Sequence, residues 1–215
     1  MRILFLNASA RFLFCACVLF ATGCSSKNNA VTPSLSAENN GQNNAADSSA
    51  VIVEGQSPSE ASKARMLAAK DALFTKLSGK LMDAMASEGP AAAIAVCQQE
   101  APAIAKTVGE EQGLLIGRTG VRLRNQSNVA PSWAAEMVRD RVDTPTFVTL
   151  DNGHSAALLP IKLQAQCLMC HGPQEDILPE IKEQLTRLYP DDQATGFKEG
   201  ELRGWFWIDL AASNE

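Results

Sequence analysis

The pentapeptide Cys167-Leu168-Met169-Cys170-His171 restricts what this chain can build more than any other feature does. It is C-x-x-C-H, the attachment pattern of c-type haem. Two thiols reach the two vinyl groups of one porphyrin, and the adjoining imidazole falls under the iron as proximal ligand. A zinc site would want a fourth ligand and usually a second Cys or His pair, and beyond the first 24 residues the only others are Cys97 and His154. A thioredoxin-like redox pair would need a strand-to-helix start in a βαβ context, which Pro160 to Gln166 does not provide.

The N-terminus decides between these readings. Residues 1–23 carry Arg2 and Arg11, no acid, and an apolar stretch from Phe12 to Phe20 that ends in Ala21-Thr22-Gly23 before Cys24. A positive segment, a short apolar segment and small residues at a cleavage site make an export signal, too short and wrongly flanked for a spanning helix. Small residues followed by Cys resemble a bacterial lipoprotein box, with Ala21 where Leu is usual. Cys24 is then the lipidated residue, and two acyl chains give the stable anchoring that one cannot. Ser25, rather than Asp, after the Cys resembles the sorting pattern for the outer membrane. The expected location is the bacterial envelope, lipid-anchored and periplasm-facing, where covalent haem is attached.

The formal net charge of −5 becomes −7 once Arg2 and Arg11 leave with the signal. So acidic a chain has no basic face for a phosphate backbone, and nucleic acid is excluded as a leading partner. Residues 24–56 are rich in Ser, Asn, Ala and Gly without an aromatic residue, and cannot offset their ordering entropy by burial. They read as a disordered tether from the membrane to one folded domain, residues 57–215.

Within that domain Ser57-Pro58-Ser59-Glu60 reads as a capping box, with Ser57 the cap and Pro58 the first helical residue. Met66, Leu73, Leu77, Leu81 and Met85 form an amphipathic stripe that Glu88-Gly89-Pro90 stops. A second helix runs from Pro90 through Ile94, Cys97 and Ala101, and Pro102 is expected to kink or end it. Leu114 to Gly117 and Val121 to Arg124 read as strand, interrupted at Thr119-Gly120. Pro131 opens a short helix through Trp133 and Met137. Thr146 to Leu150, Asp151-Asn152-Gly153 and Ala156 to Lys162 form a hairpin. Ile181 to Leu188 is a last helix, and Leu202 to Leu210 a closing strand. This order suits an α+β domain, an antiparallel sheet with helices packed against it.

Cysteine arithmetic isolates one thiol. Cys15 and Cys17 leave with the signal, Cys24 takes lipid, and Cys167 and Cys170 take haem, so Cys97 is left over. It is either a buried small hydrophobe or the second axial ligand of the iron. No Met follows Met169, which argues against the arrangement of small class I cytochromes c. Bundle cytochromes of the c-prime type carry a late C-x-x-C-H, but the strand and Gly-rich turns after His171 do not suit a bundle. The remaining ligand candidates are Cys97, Met82, Met85 and His154. His154 follows the Asn152-Gly153 turn and reads as solvated at a hairpin tip. The two Met residues lie on a stripe that reads as core.

Several ordered strings resemble the Tll-type haem-c domain. They are Ile94-Ala95-Val96-Cys97 with Ala101-Pro102, Gly117-Arg118-Thr119, Leu123-Arg124-Asn125, and Asn128-Val129-Ala130-Pro131 with Trp133. The C-x-x-C-H-Gly motif and Ala194-Thr195-Gly196-Phe197-Lys198-Glu199-Gly200 with Gly204 follow. The resemblance covers roughly residues 60 to 210. It implies a PAS-like fold, a central antiparallel sheet with flanking helices around one covalent haem. It also implies Cys/His axial ligation by Cys97 and His171. Gln126 stands where the family usually has Pro, and Gly120 where it has Ser.

Arg118, Arg122 and Arg124 alternate along the expected strand and could pair with haem propionates; a solvated face is the commoner outcome. Asn125 and Asn128 are expected to fix their loop, and Trp205 and Trp207, two apart, to share one core-facing side of a strand. A thiolate favours ferric iron, so a Cys/His centre is a low-potential one. The expected function is that of a membrane-tethered periplasmic monohaem c-type cytochrome in electron transfer or in redox or gas sensing, acting with a redox or signalling protein partner. A peroxidase-like haem enzyme and a haem-storage or structural module are the alternatives; the shortage of His weighs against the enzyme.

Overall fold

The computed structural model describes residues 50–212. The signal segment, Cys24 and most of the expected tether lie outside the described residues. Helix α1 spans Glu60–Glu88 and α2 spans Pro90–Gln112. Strand β1 is Leu115–Gly120, and a single 3-10 turn at Ser132–Ala134 leads into α3, Ala135–Arg139. Strands β2, Thr146–Thr149, and β3, Ser155–Lys162, form the hairpin. Helix α4 is Leu168–His171, α5 is Pro179–Leu188, and β4 is Leu202–Leu210. The strands make one antiparallel sheet in the order β1-β4-β3-β2. This is the α+β arrangement expected, and no described helix is long and apolar enough to cross a membrane.

The last strand lies between the first and third, so both edges of β4 are paired, and with both faces also packed its sequence reads as a nearly continuous apolar run. Phe206, Ile208 and Leu210 pack with Ile116, Leu159 and Ala157 against Met66, Leu73 and Val108 of the two long helices. The opposite face holds Trp205 and Trp207 with Trp133, Leu150 and Leu158, and the Trp205 indole donates to the Val142 carbonyl at 2.7 Å. Each large side chain so buried contributes about 1.5–3 kcal/mol relative to exposure. Gly117 lets Trp207 lie against β1, since a Cβ there would come within 2.3 Å of the indole ring.

Five details depart from the sequence expectations. Ala50, the first described residue, is already buried, and Ile52 bridges antiparallel to Leu150, so this end of the expected tether packs on the sheet. The apolar triplet Val51-Ile52-Val53 gains a sheet end to pair with. The cap of α1 is Ser59, whose Oγ accepts from the Ser62 N–H at 3.1 Å; Ser57 and Pro58 precede the helix. Pro102 does not end α2. Ala101 and Val108 are buried on either side of it, and that packing carries the helix past one missing N–H. Residues 121–124 leave the sheet after Gly120. Finally, His154 is not free at the hairpin tip: its Nδ1 lies 2.6 Å from Asp209 Oδ1, the one charged residue in the buried run of β4.

Candidate functional site

A cleft of about 240 Å³ opens beyond the end of the sheet where β1 finishes and β4 begins. The α1 stripe reaches it from the core: Met66 and Leu73 are buried on the sheet, while Leu77, Leu81 and Met85 continue past the strands and line the cleft half-covered. Ala93, Ile94 and Cys97 of α2 extend the same wall. Ile161 and Leu163 form the floor, where a register shift between Ile161 and Lys162 turns the end of β3 aside. An apolar wall left partly uncovered in an otherwise packed domain is the form of a ligand site.

Opposite the helices, a 3-10 turn at Ala165–Cys167 runs directly into α4. Cys167, Cys170 and His171 thus stand at i, i+3 and i+4 of one helical segment, which puts all three on one face, and all three line the cleft. The described cysteines Cys97, Cys167 and Cys170 are free thiols. Burial pushes the Cys170 thiol up in pKa, against a smaller opposing pull from Arg124.

His171 is held from behind. Its Nδ1 is 2.7 Å from the Ala194 carbonyl oxygen, so Nδ1 carries the proton and donates, and Nε2 is left as the lone-pair nitrogen. The hold is a loop clamp: the His171 carbonyl accepts from the Phe197 N–H at 3.0 Å, and the Gly172 carbonyl from the Gly196 N–H at 2.7 Å. The Phe197 ring meets the imidazole edge-on, with centroids 6.4 Å apart. Burial first, then the neighbouring Arg124 and Arg203 cations, lowers His171 well below the ordinary imidazole range and keeps it neutral. A neutral imidazole with Nδ1 committed to an acceptor has the arrangement that a metal-ligating His takes.

The expected arginines separate. Arg118, on β1, lines the cleft. Arg122 does not: its guanidinium stacks over Phe197 at 3.8 Å from the ring centroid. Arg124 touches the cleft but is internally committed. Its Nε donates to Asp192 at 3.0 Å and its Nη2 to the carbonyls of Cys170, at 2.5 Å, and Ala194, at 3.3 Å. It braces both sides of the His171 clamp. Arg203, which the sequence reading missed, lines the cleft from β4. A lone arginine before Gly204 in an apolar strand carries no motif to announce it.

Among the ligand candidates Cys97 and Met85 line the cleft with the C-x-x-C-H segment. Met82 is 57% exposed on the other side of α1. His154 precedes β3 by one residue, whereas Ile161 at its far end lines the cleft; seven residues of strand separate them by about 24 Å. Asn125 fixes its loop as expected, its Oδ1 accepting from the Ser127 N–H at 2.9 Å, while Asn128 lines the cleft. The two departures from the family pattern have local partners. The Gln126 amide donates to the Asp191 carbonyl at 2.8 Å, and a Cβ at Gly120 would fall 2.4 Å from Arg203 Nη1.

The family model described as Tll0287-like matches residues 36–211. Among solved structures the chain is similar to the crystal structure of the cyanobacterial heme-protein Tll0287, with a TM-score of 0.54 and 19% identity. That match covers 74% of this chain and 99% of the other. At that identity the likeness is one of fold. No curated protein matches. The model match spans most of the chain, and the protein belongs to the Tll0287-like family.

Proposed function

We propose that this protein is a lipid-tethered, periplasm-facing monohaem c-type protein that acts in electron transfer or in redox or gas sensing. The observation that carries the reading is the convergence of Cys167, Cys170 and a pre-oriented, neutral His171 on one apolar cleft, with Cys97 entering from α2. These residues fit haem c. Cys167 and Cys170 would hold it as thioethers, His171 through Nε2, and Cys97 as the second axial ligand. When bound there, haem c supplies one-electron chemistry, and a thiolate ligand favours the ferric state. The described cleft lining has no carboxylate and no His besides His171, which weighs against the acid–base work of a peroxidase. Cys24 is the lipidation site and sets the envelope location, with the outer membrane favoured; a redox or signalling protein is the expected partner.

Expressed with a haem-maturation system, the protein should keep its haem in denaturant. Cys167→Ala with Cys170→Ala should release the haem to acid acetone. Extraction of haem from the unmodified protein by the same solvent would overturn covalent attachment.

A further inference from the structure

The cleft holds more positive charge than the protein itself neutralises. Three guanidinium groups line it, from Arg118, Arg124 and Arg203, and no carboxylate does among the described residues. Arg124 is matched by Asp192, but neither Arg118 nor Arg203 has an ion-pair partner among the described residues. Two cations therefore remain unanswered.

Both are placed by the sheet. Arg118 pairs with Phe206 in the β1–β4 register and Gly120 with Gly204, so Arg118 stands near the end of β1 and Arg203 near the start of β4, and both line the cleft. Arg203 is fixed there: Nη1 donates to the Arg122 carbonyl at 2.9 Å, and its guanidinium lies 5.7 Å from the Phe197 centroid. Yet its Nε is buried without a hydrogen-bond partner, an omission native proteins rarely carry without a reason. Burial, followed by the Arg124 and Arg118 cations, pushes Arg203 down to about 10 in pKa, and burial lowers Arg118 as well. Such crowding of cations favours whatever supplies the missing negative charge.

The opposite wall, formed by Leu77, Leu81 and Met85, is apolar. A ligand that completes both sides has an apolar body and two negative charges at one edge. We propose that Arg118 and Arg203 form the anion-binding end of the cleft and take the two carboxylates of a dianionic porphyrin. The assignment rests on the haem reading and refines it: of the four arginines around the site, Arg122 is stacked and Arg124 is committed, so neither takes part.

The test uses the mature chain with Cys167→Ala and Cys170→Ala, so that no thioether forms. Iron protoporphyrin IX and its dimethyl ester are titrated into it by absorbance. The ester keeps the apolar body and the iron but has no charge at the edge. The diacid should bind at least about tenfold more tightly than the ester, the scale of one charge-assisted hydrogen bond. Arg118→Gln and Arg203→Gln should each narrow that ratio, the double variant should abolish it, and Arg122→Gln should leave it unchanged. Equal binding of diacid and ester before any arginine is changed overturns the assignment without needing a variant that folds. A ratio that survives in the double variant overturns it too. In both of those outcomes porphyrin still binds, so the haem reading stands. If neither porphyrin binds and the matured wild type carries no covalent haem, both fall together.

Discussion

Replacing Arg124 by Met should cost more stability than any exposed ion pair of this protein could. Arg124 and Asp192 are 9% and 10% exposed as side chains, with Nε and Oδ2 3.0 Å apart. Truncating the guanidinium leaves the Asp192 carboxylate buried with one remaining donor, the Ala194 N–H at 2.8 Å, and strips a donor from two carbonyls. Removing one partner of a buried pair costs about 3–5 kcal/mol, because an uncompensated charge stays behind. A domain of this size shifts by roughly 2–4 °C per kcal/mol, so Tm should fall by roughly 6–20 °C. Calorimetry of Arg124→Met, Asp192→Asn and the double variant separates the terms. The double variant should be more stable than Arg124→Met alone, since no buried charge is stranded, with a coupling of about 0.5–3 kcal/mol. A fall of less than about 3 °C in Arg124→Met, or strict additivity in the cycle, refutes the view of this pair as a buried brace.

Ligation at Cys97 is read from the ferric spectrum: Cys97→Ser should turn a low-spin thiolate form into a high-spin or water-ligated one and raise the midpoint potential, and an unchanged spectrum would transfer the role to Met85, the other candidate facing the cleft. The pH dependence of the haem-free protein should expose His171. Its folded pKa lies well below the unfolded value of about 6.5, so below that pH the unfolded chain takes up a proton that the fold refuses. Stability should therefore be level above about pH 7 and fall on acidification toward pH 5, by at most about 1.4 kcal/mol per unit. His171→Gln should remove that slope, and an identical slope in the variant would assign it elsewhere. Cys24→Ser should release the protein into the soluble periplasmic fraction or leave it uncleaved; fractionation like wild type would end the lipoprotein assignment.

The sequence made legible those parts whose signal is local. The β2–β3 hairpin is announced by Asp151-Asn152-Gly153, β4 by its apolar run, and the C-x-x-C-H segment by its spacing. The 121–124 segment was misread because alternating Arg and apolar residues look like a strand, whereas here the chain turns out at Gly120 to brace α4. Of the two outcomes expected at Pro102 the helix does not take the ending, since tertiary packing outweighs one lost backbone bond. The orienting partner of His171 could not be read at all, because a main-chain carbonyl has no residue type. The motif Ala194 to Gly200 was visible only as a resemblance; its physical content is the backbone clamp that closes over His171 and Gly172.

The division of α1 has a further consequence for kinetics. One helix serves two masters: its first half is bolted to the sheet through Met66, Ala69 and Leu73, and its second half, with the Gly89 turn into α2, rests on a wall that only a ligand completes. Local opening follows buried contact. In the empty protein, amide protection along α1 should therefore grade from slow exchange near Leu73 to fast exchange near Met85. Filling the cleft should then slow exchange near Met85 while leaving the already protected amides near Leu73 unchanged.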